Sequence, residues 1–468
     1  MQFTLSNYFS CNHMLKEEQV LGDIPASKEL YDTTISLATP SVMERMLVSL
    51  MSSMDTMMIG GLGHSAIAAI GITYQPTFIL LAIIFSLNTA VTALVARRCG
   101  EKDYETANII LKQAILLAIC LSIVIGFVGR YSAPAIMNFM GAEPDTLPLS
   151  VTYFRIILLG VGFNAVSLTI TAAQRGAGNT KISLYTNVPA NLINLTLNFI
   201  FIEGRFGAPA LGITGAAMAT IMGQFVSCMI AIYSLRNPNG ILKLSLKDKW
   251  TMKKENISIL AKVGSNAFAE QICFRAGFLL CTKFVAELGT VAFATHQICM
   301  SLINITFSIG EGIGIASSSL IGRSLGALRS DLAMIYGKVS QRIGGVIACI
   351  FSIVFLTQGQ TLVGLYSTDI EVIMLSVPIT MILAIVTPLQ ISQIVLSGSL
   401  RGAGDTKFTA KLSFITVFLI RPIVTWVLCH MLGFGLVGAW LAMFFDQIIR
   451  SFFTYTRFAS GNWAKIAI

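Results

Sequence analysis

The sequence predicts an all-α integral membrane protein of about twelve transmembrane helices in two homologous six-helix bundles. Three observations carry that prediction. Hydrophobic residues make up 54% of the chain and charged residues only 12%, where a soluble domain carries about 25% charged residues. Apolar runs near the roughly 20 residues that span a bilayer recur along the whole length. The chain also repeats itself: Arg175-Gly-Ala-Gly-Asn-Thr-Lys181 returns as Arg401-Gly-Ala-Gly-Asp-Thr-Lys407, 226 residues later. The same offset carries Leu62-Gly63 onto Leu288-Gly289, Ala66 and Ala68 onto Ala292 and Ala294, and Arg97 and Gly100 onto Arg323 and Gly326. It slips to 223 where Gly215-Ala216 meets Gly438-Ala439. Duplicated halves of this kind are an architecture of transporters.

Taken in order, residues 1–32 read as a charged cytoplasmic lead-in without the apolar run of a signal peptide. Spans follow near 33–59, 66–96, 106–128, 149–172, 182–203 and 211–235, making an amino lobe over 33–235. Residues 236–256 are the most polar interior stretch and read as a cytoplasmic linker. Within it, Ser245–Trp250 reads either as a short interfacial helix anchored by Trp250 or as solvated chain. The second set of spans, near 257–286, 290–321, 333–357, 371–397, 408–431 and 437–458, makes a carboxy lobe over 257–460, with a tail at 461–468. Lys and Arg collect in alternate loops, at Arg97, Arg98 and Lys102, at Arg236 to Lys254, and at Arg323 and Arg329, while the other set holds only Arg130 and Arg205. The basic set is cytoplasmic by the positive-inside rule, which puts both termini on that side and each half at six spans in parallel orientation.

Both repeated heptads lie between apolar runs. Their glycines permit a tight turn, Asn179-Thr and Asp405-Thr suit a helix start, and Arg175, Lys181, Arg401 and Lys407 are predicted to anchor that turn at the membrane surface. Inside the spans an ionisable group costs at least a few kcal/mol at the bilayer centre, so each is a candidate for work. The first span holds Glu44 and Asp55, eleven residues apart and so on one helix face, among Met43, Met46, Met51, Met54, Met57 and Met58. Soft, adaptable methionines suit a site that accepts many shapes, although they are also ordinary core filling. The fifth span carries Asn187, Asn191, Asn194 and Asn198 in steps of 4, 3 and 4, again one face. This stripe reads as a cavity wall, the alternative being amide bonding between helices. The seventh span carries Glu270, Arg275 and Lys283. Glu270 falls on Glu44 at offset 226, and Arg275 is a candidate partner for Glu270 or Glu311. Glu311 sits in Gly310-Glu-Gly-Ile-Gly314, and Gln390 and Gln393 follow. Asp446 is predicted to neutralise Arg421, with Arg450 one turn away as the other candidate.

Composition excludes several classes. The formal charge of +9 needs no nucleic-acid partner, because basic cytoplasmic loops explain it. Nine scattered Cys and four unclustered His give no structural metal site and no disulfide framework. No phosphate-binding loop and no large extramembrane domain appear, so the chain holds no visible nucleotide site, and no cofactor is expected. No clustered nucleophile and base are present, so it reads as a non-enzyme. Work must then come from a gradient, each charge crossing being worth about 2.3 kcal/mol per 100 mV.

These residues resemble the multidrug and toxic compound extrusion (MATE) transporters of bacterial type. The resemblance runs from about 33 to 463 and rests on Met54-Asp-Thr-Met-Met-Ile-Gly60, the two heptads, Ala292-Phe-Ala-Thr-His-Gln297 and Gly438-Ala-Trp-Leu-Ala442. It implies two six-helix bundles in a V about a pseudo-twofold axis, in the plasma membrane. It further implies ion-coupled antiport, in which small organic and often cationic xenobiotics are exported in exchange for Na+ or H+, by a monomer that needs only its lipid bilayer and its substrate. Asp55 resembles the first-helix acid of the amino-lobe cation site, and Glu270 the seventh-helix acid of the carboxy lobe. Either would hold Na+ transiently. The chain departs from the family at Asn198 and Gln390, where acids often stand; Glu311 and Asp446 are candidates to compensate. A lipid-linked oligosaccharide flippase of the same superfamily is the alternative function.

Overall fold

Among the described residues, twelve long helices make up nearly all of the structure. The computed structural model describes residues 10–11, 14–15, 19–60, 64–202, 204–237, 240–244, 253–367 and 369–466. The segment Ser245–Trp250 lies outside the described residues, and so does the side chain of Asp55. In the first half run α1 (Ser27–Gly60), α2 (His64–Gly100), α3 (Tyr104–Phe139), α4 (Leu147–Gly176), α5 (Lys181–Phe201) and α6 (Gly212–Ser234). In the second run α7 (Lys254–Ala286), α8 (Thr290–Gly326), α9 (Ser330–Gly364), α10 (Ile370–Gly402), α11 (Thr406–Met431) and α12 (Gly435–Ala459). Six of the twelve end on glycine. At the start of α3, Asp103 accepts a 3.0 Å hydrogen bond from the Thr106 amide. Hydrogen bonding from Thr106 holds its carboxyl below the usual carboxylate range.

At 1.5 Å per residue the 37 residues of α2 reach about 55 Å, well beyond the roughly 30 Å hydrocarbon layer. Among the described residues, nine of the helices are apolar enough to cross a membrane on composition alone; α1, α5 and α7 are not among those nine. These three carry Glu44 and Asp55, the Asn stripe, and Glu270 with Arg275. Their polarity has to be met by protein or water, so the least membrane-like helices are the candidate site helices.

The repeat is a repeat of backbone geometry. Gly178 and Gly404 both take positive φ, +92° and +88°, a conformation that glycine adopts without a Cβ clash. The amides of Asn179 and Asp405 donate to the carbonyls of Gln174 and Leu400, each at 2.8 Å. A Cβ added at Gly176 would lie 2.6 Å from the Thr92 carbonyl oxygen, and one at Gly402 would strike the Ser318 carbonyl, which is Thr92 carried forward by 226. In each half the fourth helix is the hub: α4 packs on α2, α3 and α6, and α10 on α8, α9 and α12. Gly402→Ala is therefore expected to destabilise the protein by about 1–3 kcal/mol, since backbone must shift to admit the methyl. Thermal unfolding in detergent checks this, and an unchanged midpoint would show that the helices have room to spare.

The chain divides into two compact units, Met43–Phe268 and Met1–Val42 with Ala269–Ile468. Both divisions fall within a helix, in α1 and α7, at positions 226 apart. The first turns of α1 thus fold with the second half of the chain, and the first turns of α7 with the first half. Sequence alone placed these boundaries in the loops before each helix. The described part of the lead-in is also more than solvated chain. Cys11, Met14 and Leu30 are buried with Ile335 and Val339 of α9. Lys338 donates to the Met14 carbonyl at 2.5 Å, Arg342 to the Ser10 carbonyl at 3.2 Å, and Arg329 to the Asp23 carbonyl at 2.9 Å. At the other terminus the Trp463 indole is buried, stacked on Phe458 with centroids 5.1 Å apart.

Candidate functional site

In the unit Met43–Phe268 the site is built from α1 and α5. Glu44 is 5% exposed, and its Oε1 accepts a 2.7 Å hydrogen bond from Asn187 Nδ2. Its Oε2 is buried without a hydrogen-bond partner. Beside it lies a cavity of about 10 Å³ lined by Glu44, Leu47, Val48 and Met51 of α1 and by Asn187, Val188 and Asn191 of α5. That is about the room taken by one water molecule, and its walls are apolar. Asn191 turns its amide N–H to the Asn187 carbonyl at 2.7 Å.

The Asn stripe does not act as one wall. Asn187 and Asn191 line the cavity, but Asn194 and Asn198 are buried at 7% and 2% exposure. Asn194 donates to Thr220 of α6 at 3.3 Å, and Asn198 to the Asn194 side-chain oxygen at 3.4 Å. The stripe follows one face of α5 for three turns, and that face meets the cavity at one end and α6 at the other.

In the other unit the equivalent acid has a different environment. Glu270, 4% exposed, accepts from Arg401 Nη1 at 3.1 Å on Oε1 and from Thr409 Oγ1 at 2.9 Å on Oε2. Its ionic partner is Arg401; the sequence offered Arg275 as a partner for Glu270 or Glu311. Arg401 was read only as a turn anchor; its guanidinium instead reaches back from the end of α10 to α7. Arg175 of the first half donates to Ser183 at 2.9 Å, and Ser183 is Thr409 carried back by 226. Sequence reasoning missed Thr409, although a hydroxyl residue at that repeat position in both halves was the signal. Lys181 and Lys407 are exposed at the starts of α5 and α11.

The remaining candidates separate. Gln390, 5% exposed, accepts from Thr306 of α8 at 3.3 Å. Glu311 is half-buried on α8. Asp446 is fully buried and pairs on one oxygen with both Arg421 and Arg450, the latter at 3.8 Å. It was considered for the cation site but is held in ion pairs; the two guanidinium groups proposed as alternatives both reach it. Among the described residues no group of three His, Cys, Asp or Glu is placed to hold a metal.

Duplicated six-helix halves, each with a buried Glu at the same repeat position, define a multi-pass membrane transporter. The chain belongs to the MatE family, whose model matches residues 40–200 and again 267–427, once in each half. It is 27% identical over 466 residues to the "Probable multidrug resistance protein NorM" of Thermotoga maritima, covering 98% of this chain and 96% of that one. It is 26% identical over 442 residues to the "Uncharacterized transporter YisQ" of Bacillus subtilis, covering 94% and 96%. The fold superposes on that of a Vibrio cholerae MATE transporter with TM-score 0.87 at 19% identity, over 93% of this chain and 99% of that one. An outward-facing multidrug resistance MATE transporter superposes with TM-score 0.85 at 18% identity, over 92% and 96%.

Proposed function

We propose that this protein is a secondary active antiporter that exports small organic compounds, often cationic, in exchange for Na+ or H+. In this reading it works as a monomer in the plasma membrane with both termini cytoplasmic, and needs no cofactor beyond its coupling ion. The observation that carries the reading is Glu44. A buried carboxylate with one oxygen satisfied by Asn187 and the other without a partner beside a water-sized cavity suits a bare cation or a proton. Carboxylate and amide oxygens are hard ligands, which suits Na+. An ion bound there neutralises the acid and lowers its hold on a cationic compound, which is the exchange an antiporter requires. Asp55, on the same helix face three turns on, is a second acid for that cycle. The names of the multidrug resistance relatives support export of drugs over lipid-linked sugars.

The test is efflux of a cationic dye from vesicles carrying the purified protein, under a Na+ gradient and a pH gradient imposed separately. Dye is expected to leave under one gradient and not in its absence. Dye movement indifferent to both gradients would remove the coupling, and scrambling of a labelled lipid in the same vesicles would replace export with flipping.

A further inference from the structure

The second unit holds a charge cluster that the exchange cycle does not use. Arg421 on α11 and Arg450 and Asp446 on α12 are 3%, 4% and 0% exposed. Arg421 Nη2 donates to Asp446 Oδ2, and Arg450 Nη1 lies 3.8 Å from the same oxygen. Two guanidinium groups thus share one carboxylate oxygen, leaving the triad with a charge of +1 in the middle of two spans. Glu270 does not offset it, being already paired with Arg401. Both Nε–H groups, of Arg421 and Arg450, are buried without an acceptor. Each guanidinium lies over an aromatic ring of α7, Arg421 over Phe278 at 4.9 Å and Arg450 over Phe274 at 4.7 Å. The rings lend these cations some support and fix their planes, but they bring no negative charge.

Among the described residues, the first half has no such cluster. At the offset of 223 that joins α6 to α12, Asp446 falls on Gly223 and Arg450 on Ser227, and Ser227 bonds to Ser167 at 2.7 Å, hydroxyl to hydroxyl. The charges are therefore not a requirement of the repeated fold. The helix that carries Arg421 is also distorted at this point, with π-helical turns at Phe414–Ile420 and Val427–Met431 flanking Arg421–Trp426. Such turns in an otherwise α-helical span are frequent at functional sites.

We propose that Arg421 and Arg450 together bind a small, singly charged anion beside Asp446. An unpaired positive charge inside a span is costly, and a buried N–H without an acceptor adds to the cost. Water would satisfy the two Nε–H groups but leave the charge. A chloride ion or a carboxylate group does both, accepting from the two N–H groups and neutralising the triad. Asp446 Oδ1 is also buried without a partner, so it does not reach either Nε–H group; the requirement is for an acceptor that does and that carries one negative charge, and both sources meet it.

The experiment needs no transport assay, so it stands or falls apart from the antiport reading. Purified protein is unfolded thermally at constant ionic strength while gluconate is replaced by chloride or, separately, by acetate. Saturating anion is expected to raise the midpoint by about 3 °C. A rise with chloride alone assigns the site to inorganic halide, and a rise with acetate as well assigns it to carboxylate groups, including those of compounds. Arg450→Gln removes the surplus charge and is expected to unfold at one temperature in all three salts. In case that variant does not fold, crystals of the wild-type protein in bromide are expected to show an anomalous peak within hydrogen-bond reach of both Nε atoms. A midpoint in chloride and acetate equal to that in gluconate overturns the proposal, as does an Arg450→Gln protein that keeps the full chloride shift, or bromide crystals with no peak there.

Discussion

Glu44→Gln is expected to abolish ion-coupled efflux and leave folding intact. The substitution keeps the length and shape of the side chain, and its amide oxygen still accepts from Asn187 Nδ2, which now donates to Glu44 at 2.7 Å. What is lost is the charge on the oxygen that faces no partner. A unit charge 4 Å from a cation is worth about 4 kcal/mol at an effective dielectric of 20, and losing even 2.7 kcal/mol of ion stabilisation is about 100-fold. Gradient-driven efflux should therefore fall by about 100-fold or more, while the unfolding midpoint moves little, because the amide removes the burial cost of the charge. Glu44→Asp keeps the charge one methylene short and should retain part of the activity. Asp55→Asn, made alongside, is expected to lose coupling too if the two acids of α1 act in one cycle. A Glu44→Gln protein that still pumps at the normal rate under a gradient would make Glu44 a buried hydrogen-bond acceptor and no more.

Much of the fold was legible because the signals are backbone signals. Gly178 and Gly404 are glycine because φ near +90° leaves little room for a Cβ, and Gly176 and Gly402 because a neighbouring helix touches them. Such constraints fix residue type at fixed spacing, so the duplication could be read by eye. The division of the chain within α1 and α7 was not legible. An apolar helix pattern shows that a turn is buried, not which unit buries it. Partners across long sequence separations were equally hidden. Glu270 and Arg401 are 131 residues apart, and their meeting depends on how the end of α10 lies against α7. Arg275, read as a partner for Glu270 or Glu311, lies five residues from Glu270 on the same helix, and residues five apart do not share a face as those three or four apart do. The Asn stripe was correctly read as a face, but one face of a 21-residue helix can meet two neighbours. Arg421 and Arg450 were both legible as partners for Asp446, since each alone satisfies charge balance, and charge balance is no reason to expect both.

Glu270→Gln is expected to act on stability first and on coupling second. Both carboxylate oxygens are engaged, by the Arg401 guanidinium and the Thr409 hydroxyl. Gln offers one acceptor and no charge, so Arg401 keeps its charge without its counter-ion. Removing one member of a buried pair costs about 3–5 kcal/mol. The Arg401 side chain is 26% exposed and recovers part of that from water, which lowers the expectation to about 2 kcal/mol. In the unit formed by Met1–Val42 and Ala269–Ile468 that is an unfolding midpoint lower by about 5 °C. Gradient-driven efflux per folded molecule should fall as well, because a cation entering beside Glu270 must compete with Arg401 for the same carboxylate. The double variant Glu270→Gln with Arg401→Gln separates the two effects. Removing both charges leaves neither one stranded, so the midpoint should return most of the way to the wild-type value. Efflux should not return, because the acid that exchanges with the ion is still missing. If the double variant recovered stability and coupled efflux together, Glu270 would be a structural counter-ion for Arg401 and coupling would belong to the acids of α1. If it recovered neither, the loss would lie with Thr409 and the packing of α11 on α7 instead of with the stranded charge.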